Sequence, residues 1–143
     1  MKIAVAADHG GFEMKEALKK HYAAQNWLDL GTDSADSVDY PDFAKKMARA
    51  ILSHQADFGI LICGTGVGIS IAANRFHGIR AALAYNAEVA KLAKQHNNAN
   101  VLVFGGRTMA VDDVINSIDT FMQSEYEGGR HQRRLDKIEN TEL

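Results

Sequence analysis

The chain has 143 residues, of which 46% are hydrophobic and 24% are charged, and its formal net charge is −2. A chain of this length is expected to form one domain, spanning residues 1–143, that buries about two thirds of its unfolded surface around a single core. The charge excludes a general attraction to nucleic acid or to acidic membranes, and no apolar run is long enough to cross a bilayer.

The first half of the chain alternates between apolar runs and amphipathic segments. Residues 3–7 form a compact apolar run that predicts a strand, and the glycine turn at residues 8–11 leads into a segment with helical periodicity. A short second strand is expected at residues 27–30. Residues 39–42 then begin a second helix, because Pro41 fits the first turn, where its missing N–H costs little.

The second half continues the alternation. Residues 58–74 predict a buried strand, a glycine-rich turn and a helix, while residues 79–84 and 100–104 predict the fourth and fifth strands. Asn86 is expected to cap a helix that runs to about Gln95 and is broken by residues 96–98.

After the fifth strand, Thr108 is expected to cap a helix in which Val114, Ile118 and Phe121 recur at helical spacing. The charged remainder, about 127–143, is expected to be a tail helix or a partly ordered arm.

Five strands alternating with helices predict an α/β fold: a three-layer α/β/α sandwich with a five-stranded parallel sheet, doubly wound in the Rossmann-like or flavodoxin-like manner. Such sheets bind ligands at the carboxyl ends of their strands. Strand one ends at Asp8 and His9, strand three at Cys63, and strand five at residues 105–107. His96 and Asn97 precede strand five, so this rule does not place them at the site.

The glycine turn holds Gly64, Gly66 and Gly68. A dinucleotide fingerprint would need a third glycine at Ile69 and a ribose-binding carboxylate after strand four, and a phosphate loop would need a lysine in the turn. Neither pattern is met. A tight turn alone does not require three glycines, so the pattern favours a cradle of backbone N–H groups for an anionic oxygen.

Cys63 is the only cysteine, which excludes an internal disulfide. A free cysteine is often a small buried hydrophobe, but a thiol at a helix N-terminus more readily becomes a thiolate. It could then act as a nucleophile or as a general base beside the N–H cradle, with a histidine close by. Since no basic-plus-apolar leader precedes the first strand, the expected compartment is the reducing cytoplasm.

The histidines divide into two sets. His21, His54 and His77 lie among polar residues and are expected to be solvated, whereas His9 follows Asp8 and His96 precedes Asn97. No regular metal-ligand spacing is present, so the sequence favours an acid/base site without a metal.

Several motifs occur together in a specific order and spacing. They are residues 7–11 (ADHGG), 39–41 (DYP), 59–68 (GILICGTGVG), 72–74 (AAN), 96–97 (HN), 100–102 (NVL), 104–107 (FGGR) and 126–131 (YEGGRH). Over nearly the whole chain this set resembles the type B ribose-5-phosphate isomerases, a family grouped with the galactose-6-phosphate isomerase subunits.

The resemblance implies an aldose–ketose isomerase without a cofactor, which moves a proton between C1 and C2 of a sugar phosphate through an enediolate. The implied catalytic residues are Cys63 as the base, His96 as the ring-opening acid/base, Asp8 as its partner, and Thr65. The implied ligands of the sugar, enediolate and phosphate are His9, Tyr40, Gly64, Gly66, Val67, Gly68, Asn97, Arg107, Arg130 and Arg134.

The resemblance also implies a homodimer, or a dimer of dimers, in which Arg130 and Arg134 reach the phosphate in the partner subunit. The arm at about 127–143 would then be part of the active site. Without the resemblance, the basic run at residues 130–134 would be interpreted as a solvated face. Nucleic-acid binding by so short a cluster is not expected in a net negative protein.

One branch of the family has glycine at the position of Cys63 and a glutamate base at that of Ile69, so this chain resembles the cysteine branch. Residues 85–89 lack the aromatic and hydroxyl residues expected before His96, so the identity of the sugar phosphate stays undecided. Ribose 5-phosphate is the leading substrate, and allose 6-phosphate or galactose 6-phosphate is the alternative.

A non-catalytic sugar-phosphate-binding module is the second hypothesis for the function. Thiol redox chemistry would require a second cysteine.

Overall fold

The structure is a computed structural model that describes residues 1–143. Its strands are β1 (Lys2–Ala7), β2 (Asn26–Asp29), β3 (Phe58–Cys63), β4 (Ala81–Leu83) and β5 (Val101–Gly105). Its helices are α1 (Phe12–His21), α2 (Tyr40–Leu52), α3 (Val67–Ala73), α4 (Ala87–Gln95), α5 (Val111–Met122) and α6 (Arg130–Glu139). None of these helices has the length and hydropathy needed to span a bilayer.

The strands form one parallel sheet in the order β2-β1-β3-β5-β4, which confirms the predicted doubly wound α/β fold. The chain moves outward from β1 to β2, then returns to β3 and builds the other half of the sheet. The strand order therefore reverses between β1 and β3, and a doubly wound sheet opens its ligand crevice at that point.

Alternate residues of the central strands face the two helical layers, as the period of a strand requires. On one face Val5, Ile60 and Leu102 pack with α1, α4 and α5, and on the other Ala6, Leu61 and Val103 pack with α2 and α3. The strand residues between the two helical layers are almost completely buried. The sheet is thus a rigid base for the loops at its two edges.

Two details of the predicted elements are wrong. The fourth strand is shorter than residues 79–84, since only Ala81–Leu83 pair with β5. Thr108 does not cap α5: residues 105–109 form a turn in which Met109 N donates to the Gly105 carbonyl at 3.0 Å, so the helix begins later, at Val111 after the N-cap Ala110. The Asn86 cap is confirmed, with its Oδ1 accepting from Val89 N at 2.8 Å.

The tail forms the helix α6 and is fixed at its end. Leu135 is buried, and the Glu139 carboxylate accepts from Gly78 N at 3.3 Å and lies 3.0 Å from Nδ1 of His77. Of the two predicted states of the tail, the helical one is therefore confirmed.

Ser117 of α5 carries a fully buried hydroxyl that has no hydrogen-bond partner. An unpaired buried hydroxyl costs about 1–3 kcal/mol, so Ser117→Ala is expected to raise the free energy of unfolding by about 1 kcal/mol. Urea unfolding with an unchanged m-value would measure the gain. Ser124→Ala is the control, because Ser124 Oγ donates to the Thr120 carbonyl at 2.7 Å and its removal should not stabilise. Destabilisation by Ser117→Ala would contradict the prediction.

Asp29, at the end of β2, closes an ion-pair network over α1. The Lys15 side chain is 1% exposed, and its Nζ donates to Oδ1 and Oδ2 of Asp29 at 2.9 and 2.7 Å. Lys19 Nζ donates to the same Oδ2 at 2.6 Å. Burial acts to raise the pKa of Asp29, but the hydrogen bonds from Lys15 and Lys19 outweigh it and hold the pKa below its ordinary value.

Asp29→Asn is expected to lower the free energy of unfolding by about 2 kcal/mol near pH 7, because Lys15 keeps only Glu16 as an acidic partner. A lowered carboxyl pKa adds stability while the group is charged, so the loss is complete above the ordinary value of 3.8 and shrinks as pH falls through the lower folded value. Unfolding at about pH 7 and about pH 3 measures this, with the exposed Asp33→Asn as control. An equal loss at both pH values would contradict it.

Candidate active site

The loops after β1, β3 and β5 are tied together at the point where the strand order reverses. Asp8 N donates to the Ile62 carbonyl at 3.2 Å, and Gly106 N donates to the Cys63 carbonyl at 2.8 Å. Arg107 N donates to the Gly64 carbonyl at 2.9 Å. The strand ends predicted to form the site are therefore neighbours, as the sheet rule requires.

The glycine turn is built for close approach. Gly66 has φ of 81°, in the left-handed region, and an added Cβ there would lie 2.6 Å from Cδ1 of Leu83. An added Cβ at Gly68 would lie 2.6 Å from Cζ of Tyr40, so the Tyr40 ring covers this glycine. Neither glycine could carry a side chain without displacing Leu83 or Tyr40, so the turn brings the backbone at the start of α3 into close contact with its neighbours.

Cys63 ends β3 beneath this turn. The residue is 5% exposed, and its Sγ accepts the Gly66 N–H at 3.2 Å. Thr65 is exposed, and its Oγ1 accepts from Val67 N at 3.2 Å. The sulfur therefore lies directly against the backbone of the glycine turn.

Asp8 and His9 line the same crevice from the end of β1. The Asp8 carboxyl is buried, and its Oδ1 accepts from Gly10 N at 2.9 Å and from Gly11 N at 3.2 Å. His9 Nδ1 accepts from Val38 N at 3.2 Å, which leaves the proton of the neutral ring on Nε2. His9 can therefore donate from Nε2 to an anionic oxygen.

Two further side chains cover the crevice. Tyr40 is 39% exposed at the start of α2. Arg107 is exposed, and its guanidinium reaches over the turn, since an added Cβ at Gly64 would lie 3.7 Å from Nη1. The structure thus brings together ten predicted site residues, which we call the carboxyl-edge group: Asp8, His9, Tyr40, Cys63, Gly64, Thr65, Gly66, Val67, Gly68 and Arg107.

The other four predicted residues, His96, Asn97, Arg130 and Arg134, lie at the opposite edge of the sheet, and we call them the amino-edge group. His96 and Asn97 follow α4, which starts after the carboxyl end of β4 and runs back for 9 residues, about 13 Å. Arg130 and Arg134 lie on α6, which packs beside this point.

Contacts fix α6 at the amino edge along its length. At its start the His131 ring stacks on the His96 ring with centroids 4.3 Å apart, and Glu127 N donates to the Gln95 carbonyl at 3.0 Å. At its end Glu139 meets Gly78, just before β4. Since β3 rises about 3.3 Å per residue, the amino-edge group is roughly 15–20 Å from Cys63 within one chain.

Glu127 and His131 are polar neighbours of His96 that sequence reasoning missed. Oε1 of Glu127 lies 3.6 Å from Nε2 of His96 and 3.5 Å from Nε2 of His131. Burial lowers the pKa of His131, the charges of His96 and Arg130 lower it further, and Glu127 opposes them. Regular spacing could not reveal this cluster because His96 is about thirty residues away in sequence from Glu127 and His131, which are four residues apart. The only trace was the 126–131 motif, which contains both Glu127 and His131.

The fold and this site define a class: a doubly wound α/β protein with a cysteine, a glycine-rich turn and an exposed arginine at the strand-order reversal. A family model described as Ribose/Galactose Isomerase matches residues 3–138. The chain belongs to this family, which confirms the resemblance found in its motifs.

Individual relatives agree over almost their whole length. Ribose-5-phosphate isomerase B of Escherichia coli is 45% identical over 139 residues, which cover 96% of this chain and 93% of that protein. The crystal structure of a Thermotoga maritima ribose 5-phosphate isomerase has a TM-score of 0.95 at 52% identity, covering 96% of this chain and 97% of the other. A Mycoplasma genitalium ribose-5-phosphate isomerase B with bound ribulose 5-phosphate has a TM-score of 0.90 at 44% identity, covering 96% and 93%.

Proposed function

We propose that this protein is an aldose–ketose isomerase that interconverts ribose 5-phosphate and ribulose 5-phosphate without a cofactor. The observation that carries the proposal is the position of Cys63, whose Sγ accepts the Gly66 N–H at the point where the strand order reverses. Relatives that share 44–45% of the sequence bear the name of this activity, and one of them has ribulose 5-phosphate bound.

In the proposed reaction the Cys63 thiolate takes the proton from C2 of the open-chain aldose. The electron pair of the C–H bond forms the C1–C2 double bond of an enediolate, and the negative charge rests on oxygen in the cradle from Gly64 to Gly68. Return of the proton to C1, together with transfer of the O2 hydroxyl proton to O1, gives the ketose. A positioned base contributes about 10²–10⁴ in rate and one oxyanion donor about 10²–10³, so the reaction uses both.

The amino-edge group supplies the remaining roles from a second subunit. We infer a homodimer in which the partner subunit's His96 and Asn97 reach the sugar beside this chain's Asp8, Tyr40 and Thr65. His96 exchanges the proton that opens the ring. This inference is supported by the roughly 15–20 Å between the two groups in one chain, which no side chain spans.

Phosphate binding is likewise divided between the two subunits. His9 can donate from Nε2, and Arg107 offers a planar fork of N–H donors that suits a phosphate. The partner subunit's Arg130 and Arg134 complete the ring of donors. We place this chemistry in the cytoplasm, where a reducing environment keeps the single thiol available.

A kinetic panel tests the substrate. Purified protein is assayed with ribose 5-phosphate, allose 6-phosphate and galactose 6-phosphate, and kcat/KM is expected to favour the pentose by about tenfold or more, since one extra carbon in a fitted pocket has an effect of that order. A higher kcat/KM for one of the two hexose phosphates would assign that six-carbon sugar phosphate as the substrate. Calorimetric binding of all three without turnover would instead indicate a sugar-phosphate-binding module.

A further inference from the structure

At the amino edge, His96, Glu127 and His131 form a compact set of donors, here called the His–Glu–His cluster. Their ligand atoms all lie within 4.8 Å of one another. Two imidazoles and one carboxylate are the ligand set of many open zinc sites, which keep a fourth position for water or substrate. The cluster comes from the residue after α4, from the start of α6 and from the segment between α5 and α6, so it exists only in the folded chain.

The donor atoms lie close together. The Nε2 atoms of the His96 and His131 rings lie near the same oxygen, Oε1 of Glu127, at 3.6 and 3.5 Å, and the two rings are nearly parallel, with an interplanar angle of 14°. Because a zinc–imidazole bond lies in the plane of the ring, the His96 side chain, which is 37% exposed, must turn toward the ion to complete the site. Tetrahedral zinc with bonds of about 2.0–2.2 Å sets its ligand atoms about 3.3–3.6 Å apart. The two nitrogen–oxygen separations are therefore close to what the ion needs.

The ligands are held by the backbone before any ion arrives. Glu127 N donates to the Gln95 carbonyl at 3.0 Å and His131 N donates to the Gly128 carbonyl at 3.1 Å. The His131 side chain is 7% exposed, whereas that of Glu127 is 50% exposed and free to close on the ion. Arg130 and Arg134 are nearby positive charges that weaken any cation site, so the affinity should fall below that of closed structural zinc sites.

We propose that the His–Glu–His cluster binds one Zn²⁺ ion per chain and that zinc at this site inhibits the enzyme. The inhibitory part rests on the proposed function, because a His96 nitrogen bound to zinc can neither donate nor accept the ring-opening proton. Imidazole ligands select zinc over Mg²⁺, which prefers an all-oxygen set. Inhibition should therefore follow zinc and be reversed by a chelator.

Isothermal titration of chelator-treated, full-length protein with zinc chloride tests the site, and magnesium chloride is the metal control. One zinc per chain is expected. Glu127→Gln and His131→Asn should each weaken binding by about tenfold or more. His77→Asn is the matched control, since His77 also pairs with a glutamate, Glu139, at 3.0 Å. Cys63→Ala should bind zinc normally, which separates the cluster from the thiol.

The absence of saturable zinc binding would overturn the site, as would equal losses in His77→Asn and His131→Asn or a loss in Cys63→Ala. Because the heat of binding needs no turnover, the site can be confirmed or rejected even if the isomerase proposal fails. In an active preparation, zinc that saturates the cluster without slowing the reaction would overturn the inhibitory part.

Discussion

Cys63→Ala is expected to lower kcat for ribose 5-phosphate by about 10²–10⁴, the usual contribution of a positioned general base. The change removes the only group in the crevice proposed to carry the proton between C1 and C2. Because the base acts in the transition state, KM should change little while kcat and kcat/KM fall together. A coupled assay of ketose formation at saturating substrate measures the loss.

Sγ of Cys63 accepts the Gly66 N–H at 3.2 Å, and a serine at this position is not expected to act as the base. A hydroxyl at the same place has a far higher pKa than a thiol, so Cys63→Ser should remain nearly as slow as Cys63→Ala. Both variants should bind the substrate, which calorimetry can check. Full activity of Cys63→Ala would remove the cysteine from the mechanism and leave the substrate assignment to be judged separately.

The fold could be predicted because strand and helix periods are local properties of the sequence. Apolar runs such as 58–63 and amphipathic segments such as 87–95 gave the correct order of elements. The bounds of β4 were harder to predict from the sequence, since alanine has little strand preference. Pairing with β5 decides where this strand ends. The start of α5 was misplaced because the turn around Gly105 and Met109 competes with Thr108 as a cap.

The site could be predicted only where the chain topology determines it. Asp8, Cys63 and Arg107 follow strand ends, so the sheet rule brings them together from the sequence. His96 follows the end of α4, which carries it to the amino edge, and its neighbours there depend on how α6 packs. Glu127 was missed because it belongs to a loop whose contacts arise only from that packing.

Because the candidate site is divided between the two edges of the sheet, a second large effect is expected when two inactive variants are mixed. Cys63→Ala and His96→Asn subunits should each be inactive alone, but mixing them should restore activity. In a heterodimer, one site combines the intact Cys63 of one chain with the intact His96 of the other, and the second site carries both changes. For random exchange between equal amounts of a two-fold symmetric dimer, recovery should be about one quarter of the normal rate.

The matched control uses two changes in the carboxyl-edge group. Cys63→Ala and Asp8→Ala lie on the same side of the proposed interface, so every site in their heterodimer carries one of the two changes and no activity should return. Differently tagged subunits, unfolded together and refolded, allow the heterodimer to be isolated by two affinity steps. Recovery in the first pair alone is what a shared site requires, since within one chain Cys63 and His96 are too far apart to act on one sugar. An isolated heterodimer of the first pair that stays inactive would contradict the shared site, as would equal recovery in both pairs.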